Sequence, residues 1–287
     1  MTLMLTTISS STLTPTVTSL HLACMDVDAY LKRIDYTGAL DVNAETLRNL
    51  QVANLRHVPF ENLSIHAGEP IVLTDEALFR KIVGNRRGGF CYELNGLFSW
   101  LLRRIGFDVS MLSAGVANAR GDYGPDFDHM VLMVNLEQPW LVDVGFGESF
   151  VEPLLLEPKL DQRQGKQTFR IIRSDSQLVL MRRDGDTEWK PQYRFTLQPH
   201  TYADYDEMCR YHQTSAESHF TKARLCSVAT GDGRITLSGM RLITTSSEGR
   251  QEQVLASEEE YAAVLKDQFG IDLSQRVATN TSGSQRH

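Results

Sequence analysis

The 287-residue sequence lacks the marks of several large protein classes. Basic residues are outnumbered: 29 Lys and Arg stand against 36 Asp and Glu, for a net charge of −7 and a sequence pI near 5.6. Nucleic acid is bound by basic surfaces that release counterions, so a broad nucleic-acid footprint is excluded, while a local basic groove for a small anion is not. Cysteine is scarce. Cys24, Cys91, Cys209 and Cys226 form no CxxC pair, which argues against a structural zinc site or a disulfide framework and suits a reducing cytosol. No apolar run approaches the roughly 20 residues of a membrane-spanning helix. The first 24 residues hold no Lys or Arg and no continuous apolar core, so no signal peptide is indicated. A Walker loop, a GxGxxG before a helix and an internal repeat are also missing. These absences together leave a soluble, cytoplasmic protein with no membrane partner and no metal.

What is present is a globular composition, 41% hydrophobic and 23% charged. The chain reads as α+β. Residues 1–24, rich in Ser and Thr, are expected to be a flexible leader. Residues 25–106 carry helical spacing: Leu47, Leu50 and Leu55 recur near a 3.6 period, and Thr74 can cap the helix that Gly84 stops. After RGGF, residues Leu94, Leu97, Phe98, Leu101, Leu102 and Ile105 keep that spacing until Gly106. From 107 to 198 six apolar runs, HMVLMVNLE and WLVDVGF among them, are broken by turn residues and predict an antiparallel barrel or sheet. Residues 199–275 mix helices and strands and include a helix opened by a capping box from Ser257 to Glu260. The polar tail over 276–287 is expected to fray.

One cysteine has a chemical setting. Cys91 falls in the first turn of a buried helix, after two glycines and just downstream of Arg86 and Arg87. A helix N-terminus or an imidazolium lowers a thiol pKa and makes the sulfur a nucleophile; the plain alternative is a small buried hydrophobe. A nucleophile of this kind needs a base and an orienter. His129 begins an apolar strand, and Asp143 is a charge within the apolar stretch WLVDVGFG, where a carboxylate must be paired. If the two strands are neighbours, Asp143 can hold one imidazole nitrogen, as the third member of a triad does. A structural ion pair and a satisfied core imidazole explain the same spacing.

RGGFCYELNGLF at 87–98, VPFENLSIHAG at 58–68, LVDVGFG at 141–147 and the stretch from Tyr211 to Gly239 together resemble the arylamine N-acetyltransferase family, with likeness across about 25–270. The resemblance implies an N-terminal helical bundle, a central antiparallel β-barrel and a C-terminal α/β lid around a papain-like triad of Cys91, His129 and Asp143. It implies ping-pong chemistry: acetyl-CoA acylates Cys91, CoA leaves, and an arylamine, arylhydrazine or N-hydroxyarylamine takes the acetyl group. A thiolate and imidazolium pair is the resting state it implies, with the Cys91 backbone N–H as an oxyanion donor. Phe60, Phe146 and Phe220 match positions that line the amine pocket. Gly147, Gly145 and Gly124 are the candidate CoA contacts, since glycine lets a cosubstrate approach the backbone.

Other residues point to structure. Glu61 and Asn62 are expected to tie the bundle to the barrel, and His57, His66, His212 and His219 lack metal spacing. The sequence departs from the family pattern in its long leader, which reads as an upstream initiation choice or a disordered arm. It departs again at Asp128, directly before His129, where a carboxylate would add to imidazole basicity or repel an anionic ligand. A thiol hydrolase or transglutaminase-like enzyme would use the same triad, and a binding protein would keep the pocket without turnover. The amine, the acyl preference and the oligomeric state have no sequence signal.

Overall fold

The periodic segments fold as helices, and the first, second and fourth are each begun by a short polar side chain. The computed structural model describes residues 25–273, so the expected leader and tail lie outside the described residues. Helix α1 spans Val27–Arg33 and α2 spans Ala44–His57, where Asn43 Oδ1 accepts the Thr46 N–H at 2.8 Å. Such a cap satisfies one of the donors a helix start leaves open. Leu47 and Leu50 are fully buried. Strand β1 (Phe60–Glu61) and α3 (Leu63–His66) follow, then α4 (Asp75–Phe79), capped by Thr74 as expected and continued as a π-helical turn over Arg80–Gly84. Helix α5 spans Cys91–Ile105, and Leu97, Phe98, Leu101 and Leu102 lie in its buried core.

The strand-rich region forms an eight-stranded antiparallel sheet that curls into a nearly closed barrel. It comprises β2 (Asp108–Val116), β3 (His129–Asn135), β4 (Pro139–Val142), β5 (Leu154–Leu155), β6 (Gln162–Gln164), β7 (Gln167–Ser174), β8 (Gln177–Asp184) and β9 (Lys190–His200). Their order is β5-β4-β3-β2-β9-β8-β7-β6, which leaves β5 and β6 as the edges. Glutamine side chains bridge the two edges. Gln162 Oε1 accepts the Leu155 N–H at 2.7 Å and its Nε2 donates to the Leu155 carbonyl at 3.0 Å, while Gln164 Oε1 accepts the Val151 N–H at 2.8 Å. Edge groups that would template another strand are thereby occupied. Apolar inward positions such as Leu112, Val131, Ile171, Leu180 and Phe195 fill the interior.

Two details differ from the sequence reading. Strand β4 ends at Val142, so Asp143 sits just past the strand rather than within it. The second difference concerns the lid. Helix α6 (Tyr202–Thr214) and a 3₁₀ turn (His219–Thr221) lead to β10 (Leu225–Ala229), β11 (Arg234–Ser238), β12 (Arg241–Ser246), β13 (Gly249–Val254) and α7 (Glu258–Phe269). These strands form a sheet of order β1-β10-β11-β12-β13, with Phe60 opposite Ser227. The N-terminal region thus supplies an edge strand to the C-terminal sheet. Asn62 completes the seam, donating to the carbonyls of Phe220 and Ala223 at 2.8 Å each and accepting the Leu225 N–H at 2.7 Å. Glu61 and Asn62 therefore do not tie the bundle to the barrel: Asn62 bonds the lid, and Glu61 bonds Arg87 within the N-terminal region.

Side chains alternate across the lid sheet. Cys226, Val228 and Leu237 pack with Tyr261, Leu265 and Phe269 of α7, and the other face looks toward α5 and the barrel. A sheet residue and its direct partner share a face, so one strand supplies both the lid core and a second surface.

Candidate active site

Cys91 is the first residue of α5 and only 3% exposed. Its helix start is held by a buried ionic group. Glu93 Oε2 accepts the Phe90 N–H at 3.1 Å, and Glu93 Oε1 meets Lys81 Nζ at 2.7 Å. Glu61 lies 3.9 Å from the same ammonium and 2.8 Å from Arg87 Nη2. Burial would raise Glu61, but Lys81, Arg87 and the Leu63 N–H outweigh it and hold the carboxyl below its usual range. For Glu93 burial wins and the carboxyl is pushed up. Arg87 is thus bound to Glu61, and a preformed cationic group beside the sulfur is not its role.

The barrel brings the other two residues to the same place. His129 opens β3, and Asp143 follows β4, the next strand in the sheet. His129 Nε2 lies 2.8 Å from Asp143 Oδ2, with both side chains buried. A carboxylate can only accept, so Nε2 carries the proton and Nδ1 is left as the acceptor nitrogen. Asp143 Oδ1 also accepts Asn95 Nδ2–H and the Gly145 N–H, each at 2.9 Å. Three donors compensate a carboxylate that would otherwise be too costly to bury.

Asn95 is the member that the sequence reading missed. It lies four residues after Cys91, one turn along the same helix face. Besides Asp143 it donates to the Met130 carbonyl at 2.7 Å and accepts the Val144 N–H at 2.9 Å. One amide therefore stitches α5, β3 and the segment after β4. Its signal was the i, i+4 spacing alone.

The electrostatics of Cys91 oppose a free thiolate. Burial pushes the thiol well up, the Asp128 and Asp143 carboxylates push the same way, and the Met130 backbone N–H pulls it down. Burial disfavours a lone thiolate, so ionisation of Cys91 depends on a base that takes the proton. The Met130 contact sets the sulfur against the start of β3, the residue after His129. As the first helical residue, Cys91 has a backbone N–H that no carbonyl of its own helix can accept.

These residues open onto a cavity of about 320 Å³ lined by Cys91, His129, Phe60, Phe146, Phe220, Gly145 and Gly147 among others. The rings of Phe60 and Phe220 are 6.1 Å apart, and Phe146 stands edge-on to His129 at 5.2 Å. The three aromatic candidates thus share one chamber with Cys91 and His129, while Asp143 stands behind the imidazole, off the cavity wall. Gly145 is held to glycine by close approach: a Cβ there would lie 2.8 Å from Cys91 Cα. Gly124 is not on the cavity wall; it backs onto Asp128, where a Cβ would meet Oδ2 at 2.5 Å. Among the described residues no group of His, Cys, Asp and Glu is arranged to hold a metal ion, and no helix is long and apolar enough to cross a membrane.

Asp128, noted from its place before His129, reaches the other way. Its Oδ1 lies 3.2 Å from His212 Nε2 on α6, close enough for charge attraction but out of line for a hydrogen bond. Oδ2 accepts the Val116 N–H at 3.1 Å, and His212 Nδ1 meets Ser218 Oγ at 3.1 Å. Burial would raise Asp128, yet His212 and the Val116 N–H hold it below the usual carboxylate range. In the sequence His212 and His219 stand apart without a shared motif. The lid brings them to 6.1 Å, both against the ring of Phe220.

A helical bundle, a barrel and an α/β lid around a buried Cys, His and Asp define a papain-like cysteine core. Comparison with known proteins narrows it. The sequence profile of an N-acetyltransferase family matches residues 43–278. The chain is 35% identical over 286 residues to the arylamine N-acetyltransferase pineal gland isozyme of Gallus gallus, covering 90% of this chain and 99% of that one. It is 32% identical to proansamycin X synthase of Amycolatopsis mediterranei, covering 84% and 95%. The solved structure of Mycobacterium marinum arylamine N-acetyltransferase in complex with CoA superposes with a TM-score of 0.80 at 33% identity, covering 87% of this chain and 94% of that one. The chain belongs to the arylamine N-acetyltransferase family, a family of acyl-transferring enzymes.

Proposed function

We propose that the protein transfers an acetyl group from acetyl-CoA to the nitrogen of arylamines and arylhydrazines, and to the oxygen of N-hydroxyarylamines, through a thioester on Cys91, in the cytoplasm. The observation that carries this reading is the convergence of Cys91 and the 2.8 Å His129–Asp143 pair on a cavity walled by Phe60, Phe146 and Phe220. With burial holding the thiol up, attack on the donor carbonyl requires a base, and we assign His129 Nδ1, the nitrogen turned away from Asp143, to take the Cys91 proton as the C–S bond forms. Asp143 holds the tautomer and stabilises the imidazolium. Collapse of the tetrahedral intermediate expels CoA thiolate, which receives the proton from His129.

In the second half the amine attacks the thioester carbonyl, His129 takes a proton from the attacking nitrogen, and Cys91 leaves. The Cys91 backbone N–H serves both oxyanions. Aromatic walls suit an aryl ring and keep water from the thioester. Gly147 and Gly145 line the approach to the sulfur and are assigned to the pantetheine arm; Gly124, behind Asp128, acts on the cosubstrate only through that carboxylate.

Mass spectrometry of the intact protein tests this reading. Incubation with acetyl-CoA should add one acetyl group to Cys91, and an arylamine should remove it as the N-acetyl product. Acetyl loss to water at the same rate without an amine would favour a thiol hydrolase, and an unmodified Cys91 would rule out the transferase. The relative called proansamycin X synthase makes the acceptor arm necessary, because family membership alone leaves the acyl acceptor open.

A further inference from the structure

The lid sheet carries a cation into the cavity that the chemistry above does not use. Ser227 of β10 pairs directly with both Phe60 of β1 and Thr236 of β11, so these three side chains form a row on one face. Arg234, two residues before Thr236, falls on that face too. All four line the cavity that holds Cys91. The guanidinium is preset: Arg234 Nη1 donates to Ser227 Oγ at 3.0 Å, and Ser227 Oγ lies 2.7 Å from Thr236 Oγ1. Burial lowers the Arg234 pKa from its usual value, with Glu148 opposing.

An arginine in such a place ordinarily has a carboxylate partner. Among the described residues none lies within ion-pair distance of Arg234. The two carboxylates lining the cavity face other groups: Asp128 pairs with His212 at 3.2 Å, and Glu148 lies 3.4 Å from Arg182 Nη2. In a chain of net charge −7, a half-buried guanidinium, held by the Ser227 hydroxyl that Thr236 in turn engages and turned to a ligand chamber, is matched to an anion that arrives with a substrate. Its planar fork suits carboxylate or phosphate oxygens.

We propose that Arg234, braced by Ser227 and Thr236, is the anion-recognising residue of this cavity and selects substrates that carry a phosphate or carboxylate group away from the reacting atom. The anion is either a phosphate of the CoA donor or a carboxylate on the arylamine. The assignment rests on the transferase reading above, and binding measurements allow the two to fail separately.

Two matched substrate pairs distinguish the sources. For the donor, acetyl-CoA is compared with S-acetylpantetheine, the same thioester without phosphates; for the acceptor, 4-aminobenzoate is compared with its methyl ester. In Arg234→Gln the ratio of kcat/KM for the anionic over the neutral member should fall about 10- to 100-fold, as expected for losing a charge-assisted bond. A fall in the donor pair assigns Arg234 to phosphate, and a fall in the acceptor pair assigns it to carboxylate. Arg234→Lys, which keeps the charge, should restore much of the ratio and serves if the Gln variant does not fold. Calorimetric titration of the unacetylated protein with CoA and with 4-aminobenzoate should show the same loss without turnover. Ratios and affinities within twofold of wild type, or an equal loss for charged and neutral partners, would overturn the assignment. If no wild-type substrate turned over while CoA or 4-aminobenzoate binding still depended on Arg234, the transferase reading would fail and the anion site would stand.

Discussion

His129–Asp143 and His212–Asp128 are two histidine–aspartate pairs beside one cavity, the first fully buried in the barrel facing α5 and the second, with Asp128 half-buried, between the barrel and α6. In the first, Asp143 is saturated by the His129 ring, the Asn95 amide and the Gly145 N–H, and the imidazole engages it through Nε2 alone. In the second, both nitrogens of His212 face partners, Asp128 on one side and Ser218 on the other. An imidazole can move a proton to or from a substrate only where its second nitrogen faces the reacting atoms rather than a structural partner. Under the proposed function identical residue types do different work: the first pair serves proton transfer at Cys91, and the second holds the lid wall that carries Phe220 against the loop before β3.

The sharpest break in this comparison is Asp143→Asn. It keeps the shape and removes the charge that fixes the His129 tautomer, so kcat/KM for acetyl transfer should fall on the order of 10³- to 10⁴-fold. Steady-state assays alongside circular dichroism would check it, and near-normal turnover would remove Asp143 from the mechanism. His129→Asn should come next. With no base to take the proton, the buried Cys91 thiol stays protonated until alkaline pH, because burial raises it above its ordinary value. Iodoacetamide alkylation at pH 7 should then drop by about 30-fold or more, since even a free thiol is only a few per cent ionised there. Equal alkylation profiles for the variant and wild type would mean that the sulfur ionises without the imidazole.

Asp128→Asn should have the smallest effect. Acetyl transfer should stay within about tenfold of wild type, with the change in the acceptor KM rather than in Cys91 acetylation. Asp128 is held below its usual carboxylate range in the folded protein. It therefore contributes stability that is full above the unfolded value, near 4, and fades as pH falls through the folded one. Thermal melts from pH 7 to pH 3 should show a lower Tm for the variant at neutral pH and convergence with wild type in acid. A loss of transfer as large as that of Asp143→Asn would dissolve the distinction between the pairs.

How far the site was legible follows from range. Cys91 at the start of α5 and His129 at the start of β3 were visible because helix and strand periods are local, and the adjacency of β3 and β4 is the ordinary result of a short connection. Asp143 was visible as a charge in an apolar run, although its position past the strand was not. The strands Gln162–Gln164 and Gly249–Val254 are polar but for the terminal Val254 and offer no alternation to read. The pairing of Phe60 with Ser227 spans more than 160 residues, and nothing within either two- or five-residue strand announces the other. His212 looked solitary because its partner, Asp128, lies 84 residues away in sequence and 3.2 Å away in space.

By itself the sequence determined the local scaffolding: a helix that begins at Cys91, strands that alternate around a barrel, and the family motifs that surround the triad residues. Periodicity and capping suffice for this, since each acts within one or two turns of the chain. Only the tertiary structure decided which polar residues meet. Asn95 became a clamp, His212 a brace and Arg234 a cavity-facing cation because three separate segments were packed together. Burial then made each of those polar contacts matter, since a polar group withdrawn from water must find its partner in the protein or in a ligand.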